Sequence, residues 1–221
     1  MKRQIKKFLL VDGKDKIMYF LIATTITNLV AATFKLIIGL TMPSIWFIIN
    51  SLFYFVGSLA RGISIRSYQK IKRGDDLKEK QRIGFHNYLI NGIVLVIFGT
   101  TYFGVSYYMI TNPTINDING WLVYLVALNA FASLGISIYG MIKYKKEHSP
   151  IISAVKNTNF CNALTSIILT QVVLLDNFGE NIEHGIYNGV SGIGVSVIIM
   201  VIGITMITGI KKNMKEGVTN G

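Results

Sequence analysis

Inside its long apolar stretches the chain carries amides, hydroxyls and a few cations, but no carboxylate. The first stretch holds Thr24, Asn28 and Lys35, at steps of four and seven that put them on one helical face. The second holds Asn50, Tyr54 and Arg61, with Gly57 on the same stripe, and the fifth holds Lys156 together with Thr158, Asn162 and Thr165. The sixth opens on Tyr187-Asn188-Gly189. Polar side chains are costly in hydrocarbon, and ionisable ones there mark functional sites by default. These faces are expected to converge on a polar centre made by the first, second, fifth and sixth stretches. Its chemistry would be the solvation of a small solute. No nucleophile stands with a base, and there is no Gly-rich phosphate loop, Gly-x-Ser-x-Gly or His-Glu-x-x-His, so an enzyme is not expected. The competing expectation is that Asn, Thr and Ser merely bond helix to helix, at roughly 0.6–2 kcal/mol each. Arg61 and Lys156, close to basic ends, are expected to snorkel towards water, and Lys35 to reach outwards.

The elements that position these residues follow from length and composition. The chain has 221 residues, 51% hydrophobic and 15% charged, with apolar runs long enough to cross a bilayer, for which about 20 helical residues suffice. Six spans are expected, near 17–41, 44–65, 84–110, 120–142, 150–175 and 186–210, giving an all-α polytopic bundle and one membrane domain over 1–221. Helix is the reading because backbone polar groups must be satisfied within the segment or in a closed barrel, and the ten-residue alternation of barrel strands is missing. The basic leader is read as the flank of a retained first span, since no small-residue cleavage pattern follows it. Arg66 to Arg82 reads as a solvated helical turn or flexible loop, and the tail from Lys211 as disordered. Pro43 marks a tight turn, and Pro150 opens the fifth span, where its missing N–H costs nothing. The glycines of the sixth span, with Gly62, Gly99, Gly104, Gly135 and Gly140, are assigned to close helix packing.

The net charge of +11 is not a nucleic-acid signature. All but three of the 22 Lys and Arg fall in 1–16, 66–82, 143–146 and 211–215, whereas the intervening loops carry Asp117, Asp176, Glu180 and Glu183. That alternation matches the positive-inside rule and puts both termini in the cytoplasm. The expected location is therefore the cytoplasmic membrane, with the lipid bilayer and a second copy of the chain (a homodimer) as partners, and no nucleic acid. The single cysteine, Cys161, excludes an internal disulfide and is read as a packing residue. His86, His148 and His184 fall on opposite sides of the membrane, which leaves no three-histidine metal site.

The stretch from Asn28 to Arg66 resembles the first hairpin of the cation diffusion facilitator family. Lys35, Gly39 and Ser44 match its late Lys and Gly and the Ser that opens span two. Ser149 to Ser166 is similar to that family's fifth span, with Ala163-Leu164-Thr165-Ser166 as the matching run. The resemblance covers roughly 17–210. It implies a six-span metal transporter with paired ligands on spans two and five. By position those ligands become Asn50, Tyr54, Thr158 and Asn162, all neutral and poor zinc ligands. An uncharged site does not offset the dehydration of a divalent ion. The expectation is the family's membrane scaffold without its zinc site or its cytoplasmic metal-sensing domain, and with no cofactor. The substrate-binding residues would be Asn50, Tyr54, Thr158 and Asn162, and the solute a monovalent ion or a small polar or cationic organic molecule. A non-transporting membrane partner, with 66–82 as its docking surface, is the alternative; divalent-cation efflux is a third.

Overall fold

Six helices, each long and apolar enough to span a membrane, account for the described residues of a computed structural model. The structure describes residues 13–42, 44–73, 76–112, 120–143, 149–178 and 184–219. The helices are α1 (Gly13–Thr41), α2 (Ile45–Arg73), α3 (Leu77–Thr111), α4 (Gly120–Lys143), α5 (Pro150–Phe178) and α6 (His184–Thr219). The chain is a multi-pass membrane protein, all-α, as its apolar runs require.

Burial sorts the helices. Of the most apolar stretch of α5, 67% is buried, and of α2, 56%, against 28–39% in the other four. So α2 and α5 form the centre. α1 packs chiefly on α2, α4 on α5, and α3 makes its most extensive contact with α6. The outward faces stay apolar: Val30 and Leu40 on α1, Trp121, Leu128 and Phe131 on α4, and Val201 on α6 are all exposed to the lipid side. Three apolar clusters fill the interior. One joins Trp46, Tyr102, Val123 and Leu169 at the end of the bundle away from the termini. A second places Ala31, Phe53, Phe98 and Ile199 around mid-bundle with Cys161, which is buried as a free thiol. The third packs Leu21, Ile152 and Val155 against Ile65 and Tyr68.

The α3–α6 pair is drawn together by glycine. A methyl built on Gly203 would lie 2.8 Å from the Gly92 carbonyl oxygen and 2.9 Å from the Val96 amide nitrogen. One built on Gly99 would meet the Met200 amide nitrogen and the Ser196 carbonyl oxygen at 3.0 Å. The packing assignment holds for these positions and fails for Gly62, Gly104, Gly135, Gly194 and Gly209, where nothing lies within 4 Å.

Two expectations about the polar ends are corrected. The 66–82 segment is helical on both sides of its middle: α2 runs on to Arg73 and α3 starts at Leu77. Asp76 caps α3, its carboxylate accepting from the Lys78 amide at 2.9 Å. The runs Ser67–Arg73 and Leu77–Arg82 are rich in Lys, Arg, Gln and Glu, good helix formers that let a membrane helix continue into water. The tail likewise continues α6 to Thr219. Pro150 opens α5 as expected. The Pro43 turn and His148 lie outside the described residues.

Candidate binding site

Tyr54 is the hub of the buried polar centre. It is fully buried on α2, and its hydroxyl meets Ser166 Oγ of α5, the Asn162 carbonyl oxygen at 3.2 Å and Ser133 Oγ of α4 at 3.3 Å. Lys35 of α1 lies over the same ring, its Nζ 3.8 Å from the centroid, and donates to Ser166 Oγ at 3.0 Å. A desolvated ammonium on an aromatic face gains about 2 kcal/mol. Lys35 is therefore directed into the bundle at 3% exposure, not outwards. α1 is apolar on nearly every side, so only its docking on α2, which includes the Ser51 hydroxyl donating to the Ala32 carbonyl at 2.8 Å, fixes which way Lys35 points.

Arg61 is the second correction. It is enclosed at 0% exposure instead of snorkelling, and none of its guanidinium nitrogens has a hydrogen-bond partner among the described residues. It lies two turns beyond Tyr54 on α2. Among the described residues no Asp or Glu is buried, so the interior holds two cations and no anion.

The four expected binding residues are all buried but do not form a single cluster. Tyr54 and Asn162 meet directly. Asn162 and Thr158 face α2 at Gly57, where a methyl would sit 3.6 Å from Asn162 Oδ1 and from Thr158 Cγ2. Thr158 Oγ1 then turns to Asn91 Oδ1 of α3 at 3.4 Å, in a separate network where Ser64 donates to Asn87 Oδ1 at 3.1 Å. Asn50 lies a turn from Tyr54 and donates to the Trp46 carbonyl at 3.0 Å; its Oδ1 and the neighbouring Tyr102 hydroxyl make no hydrogen bond of good geometry among the described residues. Both polar atoms of the Asn162 side chain also lack partners among the described residues.

Span six is not part of the centre. Its Asn188 and Ser191 bond instead to Gln171 of α5, at 3.4 and 3.0 Å. Span four takes its place through Ser133, whose sequence signal is its place between Asn129 and Ser137 at steps of four. Asn87 and Asn91, one turn apart, have the same spacing of a buried face. A narrow cleft beside the hub is lined by Thr24, Thr27, Asn28, Ser133, Asn159 and Asn162, with about 20 Å³ of free space. That is room for about one water or small ion.

No group of three His, Cys, Asp or Glu comes together among the described residues, so these side chains do not fit a zinc centre. No family model matches the chain, and no curated protein is significantly similar to it.

Proposed function

We propose that this protein is a membrane transporter that passes a small polar solute or monovalent ion through the centre of α1, α2, α4 and α5. The observation that carries this is the hub itself. Side chains from four helices (Lys35, Tyr54, Ser133 and Ser166) meet inside the bundle, beside a cleft lined by hydroxyls and amides. Intramembrane ionisable groups that face the bundle interior characteristically mark substrate pathways. The resemblance to the cation diffusion facilitator family supports the same location, since it puts the site on spans two and five, where Tyr54 and Asn162 meet. The neutral side chains there do not suit zinc, and the buried Lys35 and Arg61 weigh against any cationic solute.

The test is solute flux in proteoliposomes with Tyr54→Phe and Asn162→Ala as comparisons. Transport is expected in the parent and a loss of at least tenfold in the double variant. A folded protein that moves none of a panel of halide, nitrate, alkali cation and divalent cation contradicts the reading. A second reading, a non-transporting membrane partner, draws on the hydroxyls and amides that bond helix to helix around Tyr54. It predicts no flux, and a stable complex with another membrane protein on purification.

A further inference from the structure

We propose that the Arg61 end of the buried centre is a binding site for a small monovalent anion of halide size, held by Arg61 with the Asn162 amide, which faces Gly57 one turn away. This names the solute class of the same centre and so rests on the transport reading, although binding can be measured apart from flux.

Charge balance carries the inference. A guanidinium stays protonated at physiological pH and offers five donors. Taking such a cation out of water costs several kcal/mol unless it is paired and hydrogen-bonded. Lys35 is partly compensated by the Tyr54 ring and Ser166. Arg61 is not compensated by any described side chain or backbone group. Three of the chain's cations lie within the spans, and the two enclosed ones, Lys35 on the Tyr54 ring and Arg61 two turns further along α2, meet no buried carboxylate among the described residues.

The neutral groups are of matching character. The Asn162 amide nitrogen is an unused buried donor, and Gly57 leaves space beside it that any side chain would occupy. Of the neighbouring hydroxyls, Thr24 and Thr27 already donate to the Leu21 and Ala23 carbonyls and Tyr54 to its own partners, whereas Ser133 accepts from Tyr54. A cation would meet the like charge of Arg61 here. The cleft that Asn162 lines, with about 20 Å³ of free space, is too small for a phosphate ester or dicarboxylate. A halide has the sign that Arg61 needs and a size in keeping with that cleft.

The experiment is chloride binding to purified full-length protein, read as ³⁵Cl NMR line broadening that bromide displaces, with flux measured on the same preparations. Broadening is expected in the parent, reduced at least tenfold in Arg61→Gln and unchanged in Arg66→Gln, an exposed arginine on the same helix. Gly57→Ala, whose methyl makes only ordinary contacts, keeps the test decisive if Arg61→Gln fails to fold; it too is expected to weaken binding. Bromide-soaked crystals should show an anomalous peak at the Arg61 guanidinium. No displaceable broadening in the folded parent, or equal broadening in parent and both variants, overturns the inference. Chloride binding without flux of any anion leaves the site standing and overturns the transport reading.

Discussion

At the residue scale the centre is built from groups whose removal should have opposite effects on stability. The Tyr54 hydroxyl has partners on α4 and α5, and Tyr54→Phe strands Ser133 and the Ser166–Lys35 pair in a dry interior. A loss of about 1–3 kcal/mol is expected, read from denaturant unfolding in micelles. Arg61 has no protein partner to strand, and exchanging a buried charge for an apolar side chain of similar volume is often neutral or stabilising by about 1–4 kcal/mol. Arg61→Met is therefore predicted to unfold no earlier than the parent while losing chloride binding. A clear destabilisation would show that Arg61 holds the fold together. The sequence reveals that Lys35 and Arg61 lie in apolar runs, but not their direction. Snorkelling and inward burial differ only by the rotation of each helix about its axis, and tertiary packing sets that rotation. Tyr54 and Asn162 are paired through the family resemblance, which puts site residues on spans two and five; spacing alone places each on a polar face of its own span. Ser133 was not legible, although it stands at steps of four from Asn129 and Ser137, because such a stripe looks the same at a site as at a seam.

At the element scale, α3 and α6 form a pair held by backbone proximity. The Gly203 position faces main-chain atoms, which cannot give way as a flexible side chain can. Gly203→Ala should force the helices apart and cost about 1–3 kcal/mol. Gly104→Ala, with open space around it, should be neutral or stabilising by up to about 1 kcal/mol through helix propensity. Equal effects at the two positions, in the same unfolding assay, would contradict this account of the pair. The six spans were legible because a run of some 20 apolar residues has few alternatives in water or lipid. The helical continuation through 66–73 and 77–82 was not. Its polar composition reads as loop by hydropathy, while the helix propensity of its Lys, Arg and Gln carries α2 onward until the Asp76 cap restarts the chain as α3.

At the scale of the whole molecule, the charge distribution predicts that the basic end of the bundle faces the cytoplasm. With Cys161 replaced by serine, a cysteine at exposed Arg73 should react with an impermeant thiol reagent from the cytoplasmic side alone, and one at exposed Asn112 from the other side alone. Labelling of both from one side contradicts the six-span topology.

The most direct test of the central claim is anion-dependent flux in proteoliposomes, comparing the parent with Tyr54→Phe/Asn162→Ala under an imposed chloride gradient. The account predicts chloride or nitrate movement in the parent, lowered at least tenfold in the double variant. Folded parent protein that moves no solute, or flux that the double variant leaves intact, would contradict it.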